Sequence, residues 1–351
     1  MEIAVDIPEL LAPRQLDRLL GRGWFRSGPL LYRTPILPID HQLRQLVHVR
    51  LRLDAPLTKS RRRLLKRNRE RFRVEIRRAR LCNDRRRLYR RMHSRFLGFV
   101  MRDLDGLGIT EPPFDTQEVA VFDGDKLVAA AWFDLGERAT AGLIGMHDPA
   151  YAKFGLGIYT MLEEMEHARQ HGSRWYYPGY VVPGVSAFDY KLTVAPAQFL
   201  RPNGRWRALA RPPSDTPIAD RAHDEMAALE TALRAEGLCT ERRLYPSMWL
   251  GWVEDKAAPY IRGMWHLRVE TPAGPELIVE HLPTQQAYIA TTVRHVRALD
   301  PFEDVLPDSA LDRRYELRVL AYCTVLIHTR SLQRAVEQTA AFARRQGWDP
   351  A

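Results

Sequence analysis

Along residues 47–53 (VHVRLRL) apolar and polar side chains alternate without a break, the period of a half-buried strand whose basic side faces outward. The alternation returns in FRVEI (72–76). EVAVF, the turn residues Asp123-Gly124-Asp125-Lys126 and LVAAAWF then read as a hairpin, the turn supplying the positive φ it needs. Further strands are expected in TAGLIGMHD and in SRWYYPGYVV. Helical spacing governs other stretches. Leu10, Leu11, Leu16, Leu19 and Leu20 recur within residues 8–22 until Gly21 and Gly23 stop the pattern. A helix capped by Thr58 or Ser60 is expected through Asn68, one capped by Asn83 or Asp84 to about Met101, and one from Ile158 to His171. Another runs from Asp220 to Glu236, with Gly237 in the stopping position. Residues 201–220, rich in Pro, Arg and Gly, read as a loop or linker. Beyond Trp249 the pattern predicts strands near 264–270, 276–281 and 286–293, a strand or helix near 315–328, and a helix from Ser331 to Arg345.

With 351 residues the chain exceeds the usual size of one core, so more than one packing unit is expected. A hairpin, a strand, a glycine-bearing loop, a helix and a strand follow one another in the order of an acetyltransferase-type acyltransferase fold. The predicted class is α+β: a GNAT-type mixed sheet (113–245), preceded by a basic N-terminal α/β subdomain (1–112) and followed by a C-terminal α/β extension (246–351). At this level the likeness is one of fold, not function.

Hydrophobic residues at 45% and charged residues at 27% exclude a disordered chain. The longest apolar run, 127–133, is far short of the roughly 20 residues that cross a bilayer. Glu2, Asp6 and Glu9 precede any basic residue, which does not fit a secretory signal. Cys82, Cys239 and Cys323 lie far apart and form no Cys-x-x-Cys pair, against a disulfide framework or a cysteine-built zinc site. A cytoplasmic setting is expected. Net charge changes the picture more. The chain carries +10, but residues 59–102 hold 19 Lys or Arg against Glu70, Glu75 and Asp84, a block of +16 that leaves −6 for the rest. A solvated helix face is one explanation. Self-repulsion in so dense a block favours the other, a phosphate-rich partner such as RNA.

The densest candidate chemistry is His147-Asp148-Pro149 followed by Lys153 to Gly157. Gly155 and Gly157, at the start of a helix, leave backbone N–H groups able to approach a phosphate or an oxyanion, although glycine serves any tight turn as well. Downstream come Trp175-Tyr176-Tyr177-Pro178-Gly179-Tyr180 and then Tyr190-Lys191. Neighbouring aromatics on a strand commonly fill a core. They also stack on an adenine while their hydroxyls orient a reacting group.

Residues 155–191 (GLGIYTMLEEMEHARQHGSRWYYPGYVVPGVSAFDYK) resemble the signature of the aminoacyl-tRNA:protein transferases, the arginyl and leucyl enzymes of the N-degron pathway. Leu156, Gly157 and Tyr159 match that family's turn, Tyr176, Tyr177, Gly179 and Tyr180 its strand, and Tyr190 with Lys191 its Tyr-Lys pair. Gly23-Trp24-Phe25-Arg26-Ser27-Gly28 with Tyr32-Arg33 resembles its opening, and Lys59 to Asn68 its basic segment. The likeness covers about residues 10–210. It departs in lacking the N-terminal cysteine cluster, in Arg61 for Gln, Phe25 for Arg and Gly155 for Ser, and in Val185 and Phe188 for Cys and Met. His41 and His48 are read as surface or core residues, and no metal is expected.

The resemblance implies aminolysis, with an acceptor amine attacking the ester that joins Arg or Leu to a tRNA 3′ end, the tRNA being co-substrate and no cofactor required. Candidate catalytic residues are Tyr177, Tyr180, Asp189, Tyr190 and His147, the proton acceptor being Asp189 or His147. Gly155, Gly157, Tyr159, Lys191, Arg26 and Ser27 are the candidate substrate-binding residues, with Lys191 or Arg26 pairing an acceptor carboxylate. Lys59, Arg62, Arg63, Lys66 and Arg67 are expected on tRNA phosphates. The acceptor would be a protein or peptide N-terminus, or a small amine in a biosynthetic pathway; a non-catalytic RNA-binding relative is the rival, and an acetyl-CoA acetyltransferase a third reading.

Overall fold

The computed structural model describes residues 4–6, 8–39, 41–96, 103–212, 218–247, 250, 259–261, 263–272, 274–296 and 314–347. The chain opens with β1 (Ala4–Asp6), α1 (Pro13–Gly21), β2 (Phe25–Ser27), β3 (Leu30–Arg33), β4 (Ile36–Ile39), β5 (Gln42–Gln45) and β6 (Val47–Arg52). Then come α2 (Lys59–Arg71), β7 (Arg73–Arg78), α3 (Asn83–Met92), β8 (Thr116–Asp123), β9 (Lys126–Leu135), β10 (Ala139–His147), α4 (Leu156–Gln170), β11 (Trp175–Tyr177) and β12 (Tyr180–Val181). β13 (Ala197–Leu200), β14 (Trp206–Ala208), α5 (Ile218–Ala235), β15 (Thr240–Leu244), β16 (Trp265–Val269), β17 (Leu277–Leu282), β18 (Ala287–His295), β19 (Leu320–Thr329) and α6 (Leu332–Arg345) complete it.

The architecture is α+β around a mixed sheet. Nine strands run in the order β14, β13, β6, β11, β10, β9, β8, β7, with β12 also paired to β6. Strands β6 and β7, both from the basic N-terminal stretch, lie in this sheet, so the expected boundary at 112/113 falls between strands that share it. The sheet is covered on both faces. Val119, Val121, Ala129 and Phe133 pack with Leu156 and Tyr159 of α4, whereas Ala120, Ala130 and Trp132 pack with Leu88, Tyr89 and Met92 of α3. Burial on both faces explains why LVAAAWF is apolar throughout instead of alternating.

The strand expected over SRWYYPGYVV is two strands. Pro178 has no N–H to donate and Gly179 sits at φ +89, so the chain turns after Tyr177 and resumes as β12 against the far end of β6. The helix beginning at Asn83 ends at Met92, not near Met101: a 3-10 turn over His93–Arg95 tightens it, and Phe96 is extended at φ −75, ψ 140. Residues 97–102 lie outside the described residues. Within the expected loop at 201–220, Trp206–Ala208 forms β14, paired to β13.

The C-terminal part is an antiparallel sheet in the order β15, β16, β17, β18, β19, resolving the stretch near 315–328 as strand. Helices α5 and α6 pack on it, and its core continues into Phe25, Tyr32, Ile36, Leu37, Ile39 and Leu43. The small sheets β1–β3–β2 and β4–β5 thereby join the two larger ones.

Candidate functional site

The parallel pairing of β10 with β11 spans only Ala139–Ala141 against Trp175–Tyr177. Beyond it β10 continues beside β9 while the other strand turns away at Pro178 toward β6, and the two sides part like a wedge. A cavity of about 580 Å³ fills this opening. Gly142 to Gly145 and His147 form one wall, Pro178 and Tyr180 the other, and the first turns of α4 the floor.

Eight of the residues expected at the site from sequence line this cavity: Arg26, Ser27, His147, Gly155, Gly157, Tyr180, Tyr190 and Lys191. Tyr177 lines a neighbouring cavity of about 200 Å³ that shares Arg26, Ser27, Tyr180 and Lys191 with the first. The remaining two line neither. Tyr159 is fully buried between α4 and the sheet, and Asp189 is exposed on the outer side of the turn Ser186–Thr193. This turn carries Tyr190 and Lys191 to the cavity without carrying Asp189 inward.

Helix α4 begins at Gly155, which takes φ +64 and bonds its own N–H to the Ala152 carbonyl. No side chain caps the helix and its first turn holds no acid, so the positive end of the dipole and the amides of Leu156 and Gly157 face the cavity. A Cβ at Gly157 would stand 3.8 Å from His147 Nδ1, which places the imidazole over that helix start. Burial first, and the Arg95 charge second, pull the His147 imidazolium below its ordinary range, so the ring is neutral near pH 7.

Lys191 is half-buried, donates to the Tyr180 carbonyl at 2.7 Å, and lies 5.2 Å from the ring centres of both Tyr180 and Phe188. Desolvation lowers its amine to about 7. The same cause pushes the Tyr180 phenol up to about 12, leaving it a neutral hydrogen-bonding group. Tyr190 is 43% exposed, so its ring is open to a ligand.

Arg26 occupies the wall in a different manner. Its guanidinium donates to the Gly28 and Gly108 carbonyls at 2.6 Å and to Thr116 Oγ1 and Asp134 Oδ1 at 2.8 Å. The Phe114 ring lies 3.8 Å beneath it. With four of its five N–H donors engaged, Arg26 holds β2 against the sheet, so of the two cations expected on an acceptor carboxylate Lys191 is the one left available.

The basic residues expected on phosphates stand at positions i, i+3, i+4, i+7 and i+8 of α2 and are all exposed, so Lys59, Arg62, Arg63, Lys66 and Arg67 make one stripe. Among the described residues no carboxylate pairs with Lys59, Arg62, Arg63 or Arg67, while Lys66 lies 3.8 Å from Glu70. The opposite side ties the helix to the cavity. Asn68 donates to the Phe154 carbonyl at 2.9 Å, Arg69 pairs with Glu163 at 2.6 Å, and Arg61 donates to the Thr193 carbonyl at 3.0 Å. Arg61, where the resemblance would have Gln, thus braces the turn that bears Tyr190 and Lys191. Much of the remaining basic block is neutralised internally, as in Arg85–Glu118 at 2.7 Å and Arg86–Asp105 at 2.6 Å.

The one acid lining this cavity among the described residues was not singled out from the sequence. Glu164 of α4 is 3% exposed and accepts the Tyr176 hydroxyl at 2.5 Å. In the sequence it is one of several acids on a helix. The legible signal is Gly142 and Gly145 on the facing strand, which leave room where side chains would otherwise meet α4. Among the described residues no three His, Cys, Asp or Glu side chains gather as a metal site, and no helix is long and apolar enough to cross a membrane.

Residues 78–201 match the family model described as arginine-tRNA-protein transferase, C terminus. The aspartate/glutamate leucyltransferase of Leptospira interrogans is 25% identical over 211 residues, covering 57% of this chain and 80% of that protein. Those of Cereibacter sphaeroides and Vibrio cholerae are 29% and 28% identical over 208 and 214 residues, covering 56% and 58% of this chain and 72% and 87% of theirs. Among solved structures, FemX shows 12% identity and a TM-score of 0.33, covering 48% of this chain and 60% of that one. The L-PGS of Bacillus licheniformis gives 12% and 0.32, over 38% of this chain and 45% of its own. The central sequence of this chain is thus similar to that of the aminoacyl-tRNA–protein transferases.

Proposed function

We propose that the protein is an aminoacyl-tRNA-dependent transferase, acting in the cytoplasm, that moves an amino acid from charged tRNA to the α-amine of a protein or peptide N-terminus. The observation that carries this reading is the juxtaposition of an exposed basic stripe on α2 with a tyrosine- and glycine-lined cavity braced by the same helix. The stripe takes tRNA phosphates, and the wedge in an acetyltransferase-like sheet takes the 3′ end. Relatives named leucyltransferases support transfer as the reaction type.

The donor ester is already activated, so the chain's residues orient, accept a proton and steady charge. The rings of Tyr180 and Tyr190 hold the terminal adenosine. The acceptor nitrogen attacks the ester carbonyl, forming the C–N bond; neutral His147 takes the proton shed by nitrogen. The amides of Leu156 and Gly157 bear the tetrahedral oxyanion, the kind of contact whose loss costs about 10²–10³ in kcat. As the C–O bond to ribose breaks, His147 returns its proton to the departing hydroxyl. Protonated Lys191 holds an acidic group of the acceptor, and Tyr177, in the adjoining smaller cavity, helps seat that acceptor.

The test mixes the protein with tRNAs charged with labelled amino acids and peptides of differing N-terminal residue, alongside small amines. Transfer that disappears in His147→Gln supports the reading. Salt-sensitive tRNA binding with no transfer to any acceptor replaces it by that of an RNA-binding relative, and acetylation from acetyl-CoA by that of an acetyltransferase.

A further inference from the structure

Among the described residues lining the large cavity, Glu164 is the one acid. Its side chain is out of solvent, and one oxygen accepts the Tyr176 hydroxyl at 2.5 Å. Neither lysine nor arginine pairs with it among the described residues: Arg69 takes the neighbouring Glu163, and Arg26 is committed to Asp134 and three other acceptors. Much of the remaining wall is apolar, with Met92, Leu107, Ile109, Leu143, Ile144 and Met161, and besides Arg26 the cations Arg95 and Lys191 also line the cavity. A buried carboxyl with no cation is costly to ionise unless a ligand supplies the opposite charge. Burial, opposed by the Tyr176 hydrogen bond, raises this carboxyl to about 8, so it keeps a proton while the cavity is empty.

We propose that Glu164 is a specificity residue that reads the side chain of the transferred amino acid and selects a cationic one, arginine or lysine. The inference rests on the transferase reading above and names its donor class. Glu164 lies seven residues along α4 from Gly157, about 10 Å of helix axis. Its side chain leans back toward the helix start, shortening that span without closing it. With the ester carbonyl held at the amides of Leu156 and Gly157, the donor's α-ammonium stays one carbon from the carbonyl and falls short of Glu164. The stem of arginine or lysine spans the gap, laying its methylenes on the apolar wall and its charge against the carboxylate. Leucine would fill the wall and leave the acid uncompleted.

The experiment compares transfer from tRNAs charged with Arg, Lys, Leu and Met, using wild type and Glu164→Gln, which keeps the shape and a hydrogen bond to Tyr176 but loses the charge. Wild type should favour Arg or Lys over Leu by on the order of a hundredfold in kcat/KM, and Glu164→Gln should collapse that ratio to within about threefold. Binding of uncleavable amide-linked arginyl- and leucyl-adenosine to wild type gives the same comparison without turnover and without the variant. Leu transferred by wild type as well as Arg and Lys overturns the assignment and leaves the transferase reading intact, as does an unchanged ratio in a folded Glu164→Gln. No transfer from any charged tRNA overturns the transferase reading, and the assignment falls with it.

Discussion

The Arg26 guanidinium and the Asp134 carboxylate meet at 2.8 Å with 2% and 0% of their side chains exposed. Burial pushes the Asp134 carboxyl up, against the pull of Arg26 and the Thr116 hydroxyl, so the pair is electrostatically expensive and held by its hydrogen bonds. Removing one partner strands the other charge. Arg26→Ala should therefore destabilise the fold by about 3–5 kcal/mol in urea unfolding. A variant that kept its urea midpoint and lost only affinity for acidic acceptors would instead make Arg26 a substrate clamp.

The α2 stripe should behave in the opposite way. Lys59, Arg62 and Arg63 are exposed and carry no packing load, so replacing all three with Ala should leave unfolding within about 0.5 kcal/mol of wild type. Each lost phosphate contact should lower the magnitude of the slope of log K against log salt by about 0.9 for duplex RNA-like partners, so the triple variant should lose roughly 2–3. tRNA filter binding across a salt series measures this; an unchanged slope would move the tRNA elsewhere on the protein.

Two groups facing one cavity should give stability profiles of opposite sign. Glu164, raised from 4.5 to about 8, keeps a proton in the native protein that the unfolded chain has released, so its contribution falls as pH rises across that window. Lys191, lowered from 10.5 to about 7, has released in the native protein a proton that the unfolded chain still binds, so its contribution rises from about pH 7 to 10.5. Unfolding measured from pH 5 to 10 should show Glu164→Gln losing the descending limb and Lys191→Met the ascending one. Profiles parallel to wild type would mean that water reaches both groups and holds them near their ordinary values.

Elements with a strong local period were legible in the sequence. VHVRLRL is β6, the 123–126 turn joins β8 to β9, and Thr58 and Ser331 cap their helices. The five short strands from β1 to β5 were not, because three or four residues carry no usable period; they are fixed by pairing with one another and by a core shared with α5. Strand β13 owes its place to β6, about 150 residues earlier, which no local pattern announces. Within the site, the glycine–tyrosine–lysine motif pointed to the cavity because those residue types serve tight turns and stacking wherever they occur. Asp189 and Glu164 reverse what their surroundings suggest: the motif acid faces solvent, and the acid in an ordinary-looking helical run is buried. Burial of that kind depends on what the facing strand leaves empty.

That emptiness is itself testable. A Cβ on Gly142 would fall on the Tyr176 hydroxyl and within 3.3 Å of Glu164 Oε2, whereas one on Gly145 would meet the Ala131 Cβ and Thr160 Oγ1 at 3.6 and 3.7 Å, ordinary contact distances. Neither glycine has a positive φ, so the comparison is purely steric. Gly142→Ala should push the phenol off the carboxyl, cost about 1–3 kcal/mol of stability and impair donor discrimination. Gly145→Ala should remain within about 0.5 kcal/mol of wild type and keep that discrimination. Thermal unfolding and the charged-tRNA competition, run side by side on both variants, measure the difference. Equal tolerance of the two would show that Tyr176 and Glu164 can move apart freely and that their contact does not shape the cavity.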